Sequence, residues 1–117
     1  MDVATRHLAT RALRRAGLWA WRYDQPIADR WGEIMVADVA FATARLAVDL
    51  GMSHFAGVFP DLPGVQGNAA RARLRLAAAG WTLATFARAD LEQRPSELAR
   101  EIRAVLDRLT PTRFPFS

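Results

Sequence analysis

Residues 33–51 read EIMVADVAFATARLAVDLG, and this stretch decides how the rest of the chain is arranged. Its apolar residues predict two β-strands joined by a short turn, the first ending near Phe41 and the second covering Arg45–Leu50. The resulting hairpin is almost wholly apolar, yet it contains the carboxylates of Asp38 and Asp49. The stretch therefore predicts the centre of a sheet with two acidic groups placed in it.

These two carboxylates require a physical explanation. A carboxylate in a core strand loses hydration and needs a partner, a hydrogen-bond network or a cation. If the turn pairs Asp38 with Ala47, Asp49 lies diagonally opposite on the same face, roughly 7–8 Å away between backbones. That spacing predicts a site for one hard divalent cation. The alternative is that one or both residues lie at strand ends and face water.

The basic residues of the chain are all arginines. Sixteen basic residues against twelve acidic ones give a net charge of +4, and no lysine is present. Because arginine binds phosphate in a bidentate fashion, this composition favours a nucleic-acid partner. A GC-rich coding sequence produces the same bias, so composition alone leaves both explanations open.

Composition excludes several kinds of site. The chain has no cysteine, which excludes thiolate zinc sites, disulfides and thiol catalysis, and two histidines are too few for a multi-histidine metal site. No apolar run approaches the roughly 18 residues of a membrane span, and the N-terminus lacks a signal region. A chain of 117 residues is expected to form one domain, 1–117, and we expect no membrane association and a cytoplasmic location.

Periodicity predicts the remaining elements. Helices are expected over 3–16, from an N-cap at Asn68 to about 79, and over 96–109 with Pro95 in the first turn. Alternation predicts a strand over 81–86, connected to the hairpin by a crossover. The sequence thus predicts a mixed α/β domain, in the order α-β-β-α-β-α, with a small sheet of three to four strands flanked by helices. Residues 110–117 are expected either to form a loose tail or to dock through Phe114 and Phe116.

Arginines cluster on two of these helices. The candidate DNA-binding residues are Arg11, Arg14 and Arg15 on the first helix, and Arg71, Arg73 and Arg75 on the second. Positive charge in the first turns of a helix opposes the helix dipole, which indicates an anionic partner for the second cluster. The alternative for both clusters is a solvated helix face.

Two further features carry chemistry or binding. His54 lies in a long loop over 51–67, five residues after Asp49, and is either a general acid or base near the carboxylates or a surface residue. Trp19, Trp21 and Tyr23 alternate as in a short edge strand. They either stack on nucleic-acid bases or fill the gap between helix and sheet, and we favour the second interpretation.

Several segments together carry a resemblance to a known family. They are DVAF at 38–41, ARLAVD at 44–49, the loop with His54, the basic helix, LAAAGWTL at 76–83 and DLEQRP at 90–95. In this order they resemble the short Vsr-like endonuclease domains of the PD-(D/E)XK restriction-endonuclease-like superfamily. The likeness extends from Thr5 to Leu109, and its most distinctive part is the Gly-Trp pair after an arginine-rich helix.

The resemblance implies metal-dependent hydrolysis of a DNA phosphodiester bond. Asp38 and Asp49 match the positions that hold Mg²⁺ or Mn²⁺ in the family, and His54 matches a loop histidine near the attacking water. The chain departs from the family at Gly51, where the superfamily often has lysine. It also departs in the first helix, which lacks an acidic residue near Arg6 and His7, and at Asn68-Ala69, where relatives often have Arg-Asp.

These departures leave three functions open. The first is a divergent nuclease that uses Asp38, Asp49 and His54. The second is a catalytically inactive domain of the same fold that binds DNA or a protein partner, for example in a defence or toxin–antitoxin system. The third is a structural subunit that forms a homo-oligomer through exposed aromatic residues. The residues for that interface are Trp19, Trp21, Phe114 and Phe116.

Overall fold

The structure is a computed structural model that describes residues 1–56 and 67–110. Within these ranges the elements are α1 (Val3–Arg15), β1 (Arg22–Asp29), β2 (Gly32–Phe41), β3 (Leu46–Asp49), β4 (His54–Phe55), α2 (Asn68–Ala78), β5 (Thr82–Thr85), α3 (Arg88–Gln93) and α4 (Pro95–Leu109). The predicted mixed α/β architecture, with helices flanking a small sheet, is confirmed.

The sheet has five strands and is mixed. Its main path is β1-β2-β3-β5, and the two-residue β4 pairs with β2 beyond the end of β3. β2 is antiparallel to β1, β3 and β4, whereas β3 and β5 are parallel. Parallel neighbours cannot be joined by a tight turn, and the connection between β3 and β5 contains α2.

Helices cover both faces of the sheet. Val48 of β3 belongs to a buried cluster with Leu13 of α1 and Ile102 of α4. The neighbouring Ala47, which faces the opposite way, belongs to a second cluster with Leu76 of α2. The strands of the hairpin therefore lie between two helical layers, which explains their continuous apolar sequence. Within residues 1–56 and 67–110, no helix has the length and apolar character needed to cross a bilayer.

Two local expectations differ from the structure. The expected edge strand corresponds to β1. It begins at Arg22 rather than at Trp19 or Trp21, and it extends eight residues to Asp29. It contains Pro26, which an edge strand tolerates because one side of it has no partner strand. The predicted N-cap at Asn68 is wrong: Gly67 occupies the cap with φ of 84°, and no side chain caps α2. Most of the expected tail, 111–117, lies outside the described residues.

Candidate functional site

The β2–β3 hairpin brings the two carboxylates close together. The paired residues end with Val39 and Val48, and Asp38 and Asp49 are the next residues beyond this pair on each strand. The hydroxyl of Ser53 donates to the carboxylate of Asp38, and its backbone N–H donates to the carboxylate of Asp49. One residue therefore contacts both acidic side chains.

The length of the turn explains why the predicted pairing of Asp38 with Ala47 was wrong. The loop between the paired residues Phe41 and Leu46 contains the four residues 42–45. Its last residue, Arg45, has φ of 53° and donates its backbone N–H to the carbonyl of Ala42 at 3.2 Å. A two-residue turn was implied by the predicted pairing, and the longer turn shifts β3 by two positions.

Asp38 is buried and held by three hydrogen-bond donors. Asp38 is only 2% exposed. Its Oδ2 accepts hydrogen bonds from the N–H of Leu50 at 2.7 Å, the N–H of Met52 at 3.1 Å and the hydroxyl of Ser53 at 3.0 Å. All three donors come from the segment that follows β3, so this segment wraps around the carboxylate and fixes its orientation.

Ser53 connects the two carboxylates. In addition to its bond to Asp38, its backbone N–H donates to Oδ1 of Asp49 at 3.4 Å, and the N–H of Gly51 donates to the same oxygen at 2.9 Å. The chain reverses at Gly51, which has φ of 86°. The backbone of Arg88 lies so close to Gly51 that an added Cβ would be 3.1 Å from the backbone nitrogen of Arg88. Ser53 was not selected from the sequence, although aspartate and serine flanking a glycine are typical of such turns.

The pKa of Asp38 is raised above its ordinary value. Burial is the main cause, since it disfavours the charged form, and the nearby charge of Asp49 acts in the same direction. The hydrogen bonds from Leu50, Met52 and Ser53 oppose this shift. A cation placed between the two carboxylates would offset both the loss of hydration and the mutual repulsion.

A hydroxyl and a guanidinium lie at the same end of the sheet. The β3–β5 register sets Asp49 beside Thr85, on the same strand face as the pair Ala47 and Leu83. That face is the one covered by α2. From α2, Arg73 extends to the end of β5, where its guanidinium donates to Oγ1 of Thr85 at 3.5 Å. An exposed cation is therefore positioned beside the strand that carries Asp49.

His54 is close in sequence but is not joined to the carboxylates. It lies on β4 opposite Val36, is exposed, and directly follows Ser53. Among the described residues it makes no hydrogen bond with Asp38 or Asp49. Its catalytic role stays a prediction.

The six predicted DNA-binding arginines do not share one surface. Arg11, Arg14 and Arg15 are exposed on α1, which packs on the opposite face of the sheet from α2. On α2, Arg73 is exposed and Arg71 is half-buried. The structure thus separates an α1 group from an α2 group.

Arg75 has a structural partner. Its Nε and one terminal nitrogen donate to the two carboxylate oxygens of Asp29 at 3.0 and 2.5 Å, and its side chain is only 14% exposed. This bidentate pair connects α2 to the β1–β2 turn and lowers the pKa of Asp29. The role of Arg75 in the described structure is therefore to dock α2.

Two carboxylates form the donor set for the implied metal. Within the described residues, no group of three or more histidine, aspartate or glutamate side chains could hold an ion together. Mg²⁺, however, is usually held by one or two carboxylates, with substrate phosphate and water as its other ligands. Asp38 and Asp49 supply two such carboxylates, so the residues present fit a hard divalent cation.

Comparison with known proteins assigns no family to this chain. No protein-family model, curated protein or solved structure matches it. The functional interpretation therefore depends on the geometry described above.

Proposed function

We propose that this chain is a DNA-acting, metal-dependent endonuclease domain with a divergent active site. The observation that carries the proposal is the convergence of Asp38 and Asp49 on the shared donor Ser53, with Asp38 buried. Two buried or half-buried carboxylates close to each other are costly without a counter-charge, and a divalent cation is the counter-charge that oxygen ligands select. The resemblance of the sequence to Vsr-like endonuclease domains supports the same chemistry.

The chain's own residues have distinct tasks in this proposal. Asp38 and Asp49 hold Mg²⁺ or Mn²⁺, which when bound polarises a phosphate and lowers the pKa of a nearby water. The donors from Leu50, Met52 and Ser53 keep the carboxylate of Asp38 in one orientation, as preorganised sites require. Arg73 binds a phosphate oxygen of the DNA, and the exposed His54 acts near the attacking water.

A second function is favoured by one specific observation. The three donors on Oδ2 satisfy the carboxylate of Asp38 without any cation, as in a purely structural buried aspartate. Gly51 also stands where the superfamily often has lysine. The alternative is therefore a catalytically inactive domain of the same fold that binds DNA or a protein partner, with Arg73 as its contact on α2.

Nicking of supercoiled plasmid tests the proposal. The purified protein is incubated with Mg²⁺ or Mn²⁺ beside Asp38→Asn and Asp49→Asn. A matched control is Asp107→Asn, which removes a carboxylate that is 71% exposed on α4. We expect metal-dependent nicking that falls at least about a hundredfold in both site variants and is unchanged in Asp107→Asn.

The other outcomes separate the alternatives. Absence of metal-dependent nicking, together with DNA binding that weakens steeply with salt and is reduced in Arg73→Ala, would replace the nuclease by the inactive binding domain. Nicking that persists in both aspartate variants would show that the cleavage arises elsewhere or from a contaminant.

A further inference from the structure

A groove lies between α1 and the segment that leads into β1, and it is not part of the carboxylate site. Its volume is about 240 Å³. We refer to it as the α1–β1 groove, and it is lined by Thr10, Arg14, Trp19, Ala20, Trp21 and Tyr23.

The aromatic side chains of this groove are held at different depths. Trp21 and Tyr23 are half-buried against the core, and their rings meet edge to face with centroids 6.2 Å apart. Trp21 also contacts Phe41, at 6.3 Å between centroids. Trp19, in contrast, is 66% exposed. The packing function that we favoured from the sequence thus applies to Trp21 and Tyr23 but leaves the Trp19 indole available.

The backbone changes direction between the packed and the exposed tryptophan. Ala20, which separates them, has φ of 62°, in the left-handed region that residues other than glycine rarely adopt. Such conformations persist only where the surrounding structure imposes them, and they are concentrated at functional sites. The exposure of Trp19 is therefore a feature of the folded chain rather than of a fraying end.

Positive charge lies beside the exposed indole. The guanidinium of Arg14 is placed over the Trp19 ring, 5.7 Å from its centroid. On the deeper side of the groove, Arg6 lies 5.2 Å from the centroid of Tyr23 and is paired with Asp24 at 2.6 Å. Among the described residues, Arg14 has no acidic partner. Its charge is thus available to an anion bound next to Trp19.

We propose that the α1–β1 groove binds unpaired nucleotides of a single-stranded nucleic acid. A base stacks on Trp19, and the adjoining phosphate pairs with Arg14. An exposed aromatic ring next to an uncompensated arginine matches both parts of a nucleotide, and stacking of this kind is tolerant of base identity. Bases in an intact duplex have their faces covered by neighbours, so we expect unpaired nucleotides to be preferred. This inference does not depend on cleavage at the carboxylates.

Fluorescence anisotropy of labelled oligonucleotides tests this inference. Oligo-dT and oligo-U are titrated separately with the full chain in EDTA, and a blunt duplex serves as competitor. The variants are Trp19→Ala and Trp19→Phe, which retains a stacking surface. The matched control is Trp31→Ala, because Trp31 is 75% exposed and also lies under a guanidinium, that of Arg30 at 4.9 Å.

We expect Trp19→Ala to weaken binding of both oligonucleotides about tenfold or more, since stacking of one base contributes at that level. Trp19→Phe should retain most of the affinity, Trp31→Ala should change it little, and the duplex should compete poorly. Unequal effects on oligo-dT and oligo-U would show which of the two oligonucleotides the groove prefers and would support the inference.

Equal affinities in the wild type and Trp19→Ala would overturn it, as would an equal loss in Trp31→Ala. If sedimentation shows self-association that Trp19→Ala abolishes, while no oligonucleotide binds, a second copy of the chain occupies the groove and the inference is wrong. Asp38→Asn, which abolishes the proposed nicking, should bind oligo-dT like the wild type. Failure of the nuclease proposal and failure of this inference are therefore distinguishable.

Discussion

At the scale of single residues, the folded state is electrostatically unfavourable for the charged form of Asp38. Its carboxylate is buried beside Asp49, and both burial and repulsion raise its pKa. A group whose pKa is raised in the folded state releases its proton at a higher pH in the folded chain than in the unfolded chain. The folded state then binds more protons, so this residue makes the protein less stable as the pH rises from 3.8, its ordinary value, to its folded pKa.

The first prediction concerns how the stability of Asp38→Asn changes with pH relative to the wild type. Asp38→Asn keeps a hydrogen-bond acceptor but cannot ionise, so the difference in melting temperature, variant minus wild type, should move in favour of the variant as the pH rises from about 4 to about 7. Hydrogen bonds from Arg75 and Arg94 lower the pKa of Asp29 and Asp90, and these groups give both proteins the opposite slope. For that reason the difference, and not either curve alone, is the quantity to measure.

Two results decide this prediction. Asp49→Asn removes the neighbouring charge, so in its background the pH dependence of the Asp38→Asn difference should be smaller. A difference in melting temperature that stays constant with pH would show that the pKa of Asp38 is not raised in the folded state.

The residues of the candidate site were only partly accessible from the sequence. Asp38 and Asp49 stand out because each interrupts an apolar run, and in the structure both accept hydrogen bonds from Ser53. Ser53 carries no such signal, because its role arises only when the chain reverses at Gly51 and returns to the carboxylates. His54 was selected by its spacing, yet spacing along a loop does not fix where an imidazole lies.

At the scale of elements, α2 combines two arginines with different roles. Arg75 is paired in a bidentate fashion with Asp29, whereas Arg73 is exposed and lies over the end of β5. The two residues are of one type, on one helix, two positions apart. Substituting each arginine separately therefore distinguishes an effect on the docking of α2 from an effect on the binding of an anion.

The second prediction uses that pair. Arg75→Ala should lower the melting temperature, because it leaves Asp29 without the partner that connects α2 to the β1–β2 turn. Arg73→Ala should leave the melting temperature nearly unchanged but weaken DNA binding, and it should reduce the slope of log K against log salt by about one. Thermal unfolding and binding at several salt concentrations measure both effects.

The reverse pattern would contradict these assignments. If Arg73→Ala lowers the melting temperature and leaves DNA binding intact, Arg73 is a structural residue and α2 does not contact the phosphate backbone.

The elements themselves were predicted with uneven success, for physical reasons. The three long helices follow from hydrophobic periodicity, because each has one apolar face to bury. The hairpin follows from its continuous apolar run, because helices cover both of its faces. β1 was expected as a shorter strand, since its sequence RYDQPIAD is largely polar and contains a proline, as suits an edge. The β2–β3 register was missed because the turn type, and not the strand pattern, sets it.

At the scale of the whole molecule, exposed arginines lie on both faces of the sheet in a chain with a net charge of +4. The α2 face has Arg73 next to the strand that ends in Asp49, and the α1 face has Arg14 over Trp19. Composition predicted an anionic partner but could not indicate this division, which depends on the sheet lying between the helices. If both proposals hold, nucleic acid is bound at Trp19 and Arg14 on the α1 face and cleaved at the carboxylates beside the α2 face.

We propose above all that Asp38 and Asp49 act together on one divalent cation. The most direct measurement is Mn²⁺ binding, followed through the electron paramagnetic resonance signal of free Mn²⁺, in the wild type, Asp38→Asn, Asp49→Asn and Asp107→Asn. We predict one saturable site per chain in the wild type and in Asp107→Asn, and loss of that site in either of the other two variants. Equal Mn²⁺ binding by all four proteins, or no saturable site in the wild type, would contradict the claim.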